Sequence, residues 1–272
     1  MPELPEVETV RKKLLDKVQN KIIDDVEIIY DKIIKNIDPK TFKESLKNQK
    51  IEDIKRYGKW LIFCLTDYYL LSHLRMEGKY LYKDSNEEIE KHEHIIFHMG
   101  DKKLIYKDVR KFGCMYLFSK STDIFNIKPL SDVGYEPWDK KLNVEYLKDK
   151  YNKNIPIKTL LLDQTILTGI GNIYADEILF LSHINPLLKG NELSDENLKD
   201  IIKNTCVVLE QGIKNGGTTI RSYTSLDFET GHNQNNLLVH KRENEKCKNC
   251  STLIKRIKVG GRSTYYCEKC QK

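Results

Sequence analysis

Val7, Val10, Leu14 and Val18 recur at intervals of three and four residues, which is the spacing of one helix face. They predict an amphipathic helix from about Pro5, and a proline suits its first position because no N–H partner is needed there. The periodicity then shortens. Residues 22–29 are rich in β-branched side chains and read as a strand, and 41–46 as a short helix. Strand-like runs follow at 51–54, 60–65, 68–73, 79–82, 94–99, 104–106 and 114–118, with turn signals such as Thr66-Asp67 and Gly100-Asp101 between them. Consecutive short strands without intervening helices predict an antiparallel β-sandwich ending near residue 130.

Beyond a turn-rich stretch at 132–140, the period returns to helical at about 143–151, 156–163, 172–182 and 194–213. Residues 216–236 are dominated by Gly, Thr, Ser and Asn and read as a long loop; loops of that length are usually functional or disordered. The expected class is α+β: an N-terminal helix with an antiparallel β-sandwich (residues 1–130), a helical domain (131–236) and a basic module (237–272).

Charge sharpens the last boundary. Ten Lys/Arg and three Asp/Glu fall between His240 and Lys272, leaving 36 basic and 37 acidic residues in the rest of the chain. A basic tail on a neutral body predicts a polyanion-binding module. No apolar run approaches the eighteen or so residues of a membrane span, and no signal peptide precedes the first helix, so a cytosolic protein is expected. Three of the seven cysteines, Cys64, Cys114 and Cys206, sit in apolar surroundings and are expected in the core.

The other four are paired as Cys247-x-x-Cys250 and Cys267-x-x-Cys270, the two-knuckle spacing of a tetrahedral zinc site. All four ligands come from protein, no position is left for water, and one structural Zn2+ is expected. Strands at 254–259 and 263–266 around Gly260-Gly261 predict a β-hairpin finger with Lys255, Arg256, Lys258 and Arg262 available to phosphates.

The amino terminus carries the candidate chemistry. Removal of Met1, which a small second residue permits, would make Pro2 a terminal secondary amine. Such an amine can attack a sugar C1′ and form an iminium that serves as an electron sink. The positive end of the following helix dipole lowers an amine pKa, leaving more of it nucleophilic. Glu3 is close enough to pass protons, and Glu6 lies in the first turn, where an anion is favoured. Further along, two glycines in Leu167-Thr168-Gly169-Ile170-Gly171-Asn172 allow close backbone approach. Asn172 is expected to cap a helix whose free N–H groups bind a phosphate.

The string Pro2-Glu3-Leu4-Pro5-Glu6-Val7-Glu8-Thr9 resembles the start of bacterial formamidopyrimidine-DNA glycosylases, which excise 8-oxoguanine and ring-opened purines. The Gly-Ile-Gly-Asn segment resembles that family's helix-two-turn-helix motif, and the Cys-x-x-Cys pairs its zinc finger; the likeness covers essentially the whole chain. It implies a bifunctional glycosylase and abasic-site lyase, acting as a monomer on damaged double-stranded DNA. Pro2 would be the Schiff-base nucleophile and Glu3 the proton shuttle, with Glu6 in support. Lys59, in Gly58-Lys59-Trp60, matches a lysine acting during beta-elimination, and Arg262 a phosphate-contacting arginine of delta-elimination.

An enzyme working on a base inside a duplex must rotate it out and fill the gap. Ser72-His73-Leu74-Arg75-Met76-Glu77-Gly78 and Asp108-Val109-Arg110-Lys111-Phe112-Gly113 resemble the family's two wedge loops, making Met76, Arg110 and Phe112 the void-filling trio. Arg110 suits an orphaned cytosine. His73, His92, Lys153, Lys158 and Asn172 complete the expected DNA contacts. His92 and His94 alternate in a way that could suit a metal, but no third ligand is apparent. Gly216-Gly217-Thr218-Thr219-Ile220-Arg221-Ser222-Tyr223 resembles the start of the lesion-reading loop. Val239-His240-Lys241-Arg242 departs from the Val-Tyr-Gly-Arg of many members. The competing readings are the endonuclease VIII branch, which prefers oxidised pyrimidines, and a zinc-ribbon protein that binds DNA without chemistry.

Overall fold

The computed structural model describes residues 1–218 and 231–272. They fall into two compact units: Met1–Pro2, Glu6–Ser131, Thr218 and Gly231 in one, and Glu3–Pro5, Asp132–Gly217 and His232–Lys272 in the other. Helix α1 (Leu4–Val18) begins one residue before the expected start and carries Pro5 in its first turn. Its stripe of Val7, Val10, Leu14 and Val18 is buried in the core of the first unit.

That unit is built on two antiparallel sheets. One has the spatial order β1 (Ile22–Ile23), β3 (Gln49–Tyr57), β4 (Trp60–Leu65), β5 (Tyr68–His73), β9 (Cys114–Ser119). The other runs β2 (Asp25–Ile28), β7 (Glu93–Met99), β8 (Lys102–Lys107), β6 (Lys79–Asp84). Alternate residues turn inward: Leu61, Phe63 and Leu65 from β4, Ile95, Phe97 and Met99 from β7, and Leu104 and Tyr106 from β8 share one cluster. Each such side chain contributes roughly 1.5–3 kcal/mol on burial. Helix α2 (Pro39–Leu46) is capped by Asp38, whose carboxylate accepts from Thr41 N at 3.0 Å.

The expected single strand at 22–29 is two strands in different sheets. β1 pairs with β3 and β2 with β7. Ile23 and Val26 are both buried in the same core, yet positions three apart point to opposite faces of one strand. Both reach the interior because the chain changes sheets at Asp24, whose N–H donates to His98 O.

The second unit holds helices α3 (Val144–Tyr151), α4 (Ile157–Leu161), α5 (Asn172–Leu181) and α6 (Asp195–Lys214) around a second cluster that includes Leu147, Leu160, Ile178 and Leu209. Asn143 caps α3, and Ser194 with Asn197 forms a capping box on α6. α5 buries every side chain from 174 to 180, two acids among them. The finger hairpin, β10 (Lys255–Val259) and β11 (Arg262–Tyr266), turns at Gly260-Gly261, where φ is +55° and +76° as a type I′ turn requires. A small cluster of Phe180, Val239, Cys247, Ile254 and Cys267 underlies it. Cys64 and Cys114 are buried as expected, but Cys206 is only half-buried, its Sγ 3.3 Å from Pro137 O. Among the described residues no helix is long and apolar enough to cross a membrane. The expected loop at 216–236 lies partly outside the described residues, as do Thr219, Ile220, Arg221, Ser222 and Tyr223; its end forms a short 3-10 turn at Asn233–Asn236.

Candidate functional site

The two acids flanking Pro5 are not simple helix-dipole partners. Glu3 is 3% exposed, and its carboxylate accepts backbone N–H bonds from Gly171 (2.7 Å), Ile173 (2.9 Å) and Tyr174 (3.3 Å). A Cβ on residue 171 would stand 2.3 Å from Glu3 Cδ, so only glycine admits this carboxylate. Bonds to a charged acceptor contribute about 1.5–3 kcal/mol each. Glu6, equally buried, accepts from Thr218 N at 2.8 Å and Thr218 Oγ1 at 3.1 Å.

This corrects the expectation at α5. The residue before the helix is Gly171, Asn172 is its first residue, and no side chain caps it. The anion at its amino end is the chain's own Glu3, which takes the amides expected for a phosphate. Asn172 instead reaches the finger: its Nδ2 donates to Ser263 O at 2.9 Å, next to the exposed Arg262. Lys153 is exposed between α3 and α4.

Lys158 also differs from the expected DNA-facing lysine. Its side chain is wholly buried; Nζ donates to Asn172 O at 2.9 Å and pairs with Asp176 Oδ1 at 2.5 Å. The other Asp176 oxygen meets His240 Nδ1 at 2.6 Å. Burial pushes the Lys158 pKa down, against the opposing pull of Asp176. The next residue, Glu177, accepts from the N–H groups of Leu238 (2.7 Å), Val239 (3.0 Å) and His240 (2.8 Å). Burial pushes its carboxyl pKa up, and the three amides oppose this. No sequence motif marks Asp176, Glu177 and His240 as members of this buried network. The available signal was two adjacent acids inside an otherwise apolar helix.

The first unit carries the loop residues. Lys59 lies in the two-residue turn between β3 and β4, 4% exposed; Arg56, paired with Glu8, donates to Gly58 O and braces that turn. His73 ends β5, edge-on to Trp60 with ring centroids 4.7 Å apart. Burial, with the charges of Arg75 and Lys59, pushes its pKa down to about 3. The imidazole is therefore neutral. Nδ1 accepts from Arg75 N at 3.0 Å, which leaves the proton on Nε2 as a donor. Met76 and Phe112 are exposed, 37% and 54%, not core residues as their types alone would suggest. They line a cleft of about 480 Å³ with Met1, Lys35, Arg75, Cys114 and Tyr116. The Arg110 guanidinium lies 4.7 Å over the Phe112 ring. Buried Asp108 shapes this loop by accepting from Arg110 N (3.0 Å) and Gly113 N (2.8 Å), and its own N–H donates to His92 O. His94 is occupied on Asp108 O at 2.8 Å, and the histidine pair joins no three-ligand cluster among the described residues.

One such cluster exists among the described residues. The Sγ atoms of Cys247, Cys250, Cys267 and Cys270 all lie within 4.8 Å of one another, with Cys247–Cys270 at 3.8 Å and Cys250–Cys267 at 3.4 Å. Tetrahedral zinc with bonds of about 2.3 Å separates its sulfurs by about 3.8 Å, so the four thiolates fit one structural zinc ion. Asn249 N donates to Cys247 Sγ, orienting a ligand from behind.

Known proteins share this arrangement. A formamidopyrimidine-DNA glycosylase N-terminal domain model matches residues 1–115, the H2TH domain model of the same glycosylases 133–224, and a zinc finger found in FPG and IleRS 244–272. The formamidopyrimidine-DNA glycosylases of Bacillus cereus and Bacillus subtilis are each 46% identical, across 100% of this chain and 99% of theirs. A Lactococcus lactis FPG mutant complexed with Fapy-dG-containing DNA superposes with a TM-score of 0.91 at 38% identity, covering 100% of both chains. The Lactococcus lactis enzyme complexed with abasic-site DNA gives 0.90 at 38% identity over 99% of each chain. The chain belongs to the formamidopyrimidine-DNA glycosylase family.

Proposed function

We propose that this protein is a bifunctional DNA glycosylase and abasic-site lyase that removes oxidised purines, 8-oxoguanine and formamidopyrimidines, from duplex DNA in base excision repair. The observation that carries the reading is the Pro2-Glu3 pair: a secondary amine once Met1 is removed, followed by a carboxylate fixed by three backbone amides.

The Pro2 nitrogen lone pair forms a bond to C1′ as the C1′–N bond to the base breaks, and the base leaves with a proton. The C1′–O4′ bond then breaks, O4′ taking a proton, and the ring-opened sugar is held as an iminium on Pro2. Glu3 relays the protons and offsets the developing cation. The iminium acidifies C2′–H. Loss of that proton expels the 3′ phosphate by beta-elimination, and a further deprotonation expels the 5′ phosphate by delta-elimination. Water hydrolyses the remaining iminium, which frees the unsaturated aldehyde and restores the Pro2 amine, and a one-nucleotide gap remains in the DNA.

In this scheme Glu6 fixes the start of α1 through Thr218. Lys59 acts in beta-elimination and Arg262 in delta-elimination. Met76, Arg110 and Phe112 fill the space of the everted base. Neutral His73 donates from Nε2, and His92, Lys153 and Asn172 contact the backbone. Lys158, being buried on Asp176, supports Asn172 from behind. Residues 1–130 then carry catalysis, 131–236 and the 237–272 finger grip DNA, the zinc ion holds the finger, and the protein works as a monomer in the cytoplasm on nucleoid DNA.

Borohydride reduction in the presence of lesion duplex tests this. A covalent protein–DNA adduct is expected, severely weakened by Pro2→Gly; its absence from protein with an exposed proline would leave DNA binding without chemistry. Faster release of thymine glycol than of 8-oxoguanine opposite cytosine would move the assignment to oxidised pyrimidines.

A further inference from the structure

We infer that Tyr106 yokes the two wedge loops: its phenol oxygen fills the space that side chains at both Gly78 and Gly113 would need, so the loops enter DNA as one body. The inference rests on the reading of Met76, Arg110 and Phe112 as void-filling residues.

Tyr106 is wholly buried on β8. Its ring packs against Tyr80, centroids 5.3 Å apart, and Tyr80 donates to Ser72 Oγ at the base of the Met76 loop. Gly78 closes that loop, donating to Leu74 O at 2.9 Å. Gly113 closes the Arg110–Phe112 loop, donating to Asp108 Oδ2. A Cβ on Gly78 would lie 2.2 Å from the Tyr106 oxygen, and one on Gly113 only 1.6 Å from the same atom. Neither glycine has a positive φ, so space alone demands glycine at these positions.

Each loop is internally tied. Asp108 holds both ends of one, and His94 holds the Asp108 carbonyl. The Leu74–Gly78 bond closes the other. Both therefore pivot as stiff units on one fixed oxygen. Met76 cannot advance without Phe112 unless a glycine leaves that contact. Tyr106 touches no nucleotide in this scheme; it is a positioning residue, and its contribution is to the mutual placement of three side chains.

The test uses Gly78→Ala and Gly113→Ala, each alone and combined with Tyr106→Phe, so that a folding failure at one glycine leaves the other. Single-turnover excision is measured on an 8-oxoguanine:cytosine duplex. Borohydride trapping on a single-stranded abasic oligonucleotide, which needs no wedge, reports whether the amine chemistry is intact. Overpacking at the pivot should slow duplex excision on the order of tenfold or more while trapping stays within about twofold. Removing the oxygen with Tyr106→Phe should recover activity more completely at Gly113, where the nearest remaining atom is the ring Cζ at 2.7 Å, than at Gly78, where the Leu74 backbone oxygen still stands 2.6 Å from the Cβ position.

A second reading is the cycle of Met76→Ala with Phe112→Ala. Their effects should fall short of multiplying in the native protein and should multiply in Tyr106→Phe. Alanine variants at native rates, absence of any rescue, or multiplying effects in the native protein would overturn the yoke. Full duplex activity in Met76→Ala and Phe112→Ala would instead sink the void-filling assignment itself.

Discussion

His73 should make the first unit lose stability on mild acidification. Its pKa falls from 6.5 to about 3 in the folded protein, chiefly through burial and then through the charges of Arg75 and Lys59. Protonation would also set an N–H at Nδ1 against the Arg75 N–H that it now accepts. The folded pKa lies below the unfolded one. Above pH 6.5 both states are neutral and nothing is lost; between 6.5 and about 3 only the unfolded chain gains the proton, so stability falls as pH drops. At pH 5 the loss is about 2 kcal/mol, taking 1.36 kcal/mol per pH unit. In melting temperature this is roughly 5–10 °C for a unit of this size. The assay is urea denaturation of the native protein and of His73→Gln at pH 7 and pH 5. Groups common to both proteins cancel in the difference of differences. The variant should lose about 2 kcal/mol less than the native protein over that interval. Equal losses within about 0.5 kcal/mol, or an imidazole that titrates near its ordinary pKa by NMR, would refute the reasoning.

Lys158→Met should destabilise the second unit by about 3–5 kcal/mol, because Asp176 is then buried with only His240 beside it. Lys158→Met with Asp176→Leu should cost less than Lys158→Met alone, as read by denaturation midpoints. Gly171→Ala places a Cβ 2.3 Å from Glu3 Cδ while keeping a backbone conformation (φ −128°, ψ −160°) open to alanine. It should displace the carboxylate at a cost of about 1–3 kcal/mol in stability and should sharply lower borohydride trapping; unchanged trapping would remove Glu3 from the chemistry. Chelation should release one zinc per chain and abolish duplex binding, with recovery on adding zinc; full binding by metal-free protein would make the finger dispensable.

Local pattern carried much of this molecule. The stripe at Val7, Val10, Leu14 and Val18, the short apolar runs of β4 and β7, and the Cys-x-x-Cys spacing each encode their structure within a few residues, and each appears where expected. What stayed hidden depends on partners far along the chain. Glu3 occupies amides 168 to 171 residues away. Lys158 is buried only because Asp176 and Asn172 O are there to receive it. The change of sheets at Asp24 disrupts no alternation within either short strand, and shows only in two buried side chains three positions apart. Gly78 and Gly113 look like ordinary turn residues until Tyr106 is placed between them.

Glu177 grips Leu238, Val239 and His240 just seven residues ahead of the first zinc thiolate. None of those bonds involves a cysteine. A metal-stripped tail is thus moored close to its folded position, and its four sulfurs search a small volume instead of drifting as a free end. Reloading becomes a local, concentration-independent closure after the first thiolate captures the ion, governed by tether length. Transient metal loss in a cell short of zinc would then be a reversible pause in DNA gripping, with the rest of the chain still folded and waiting.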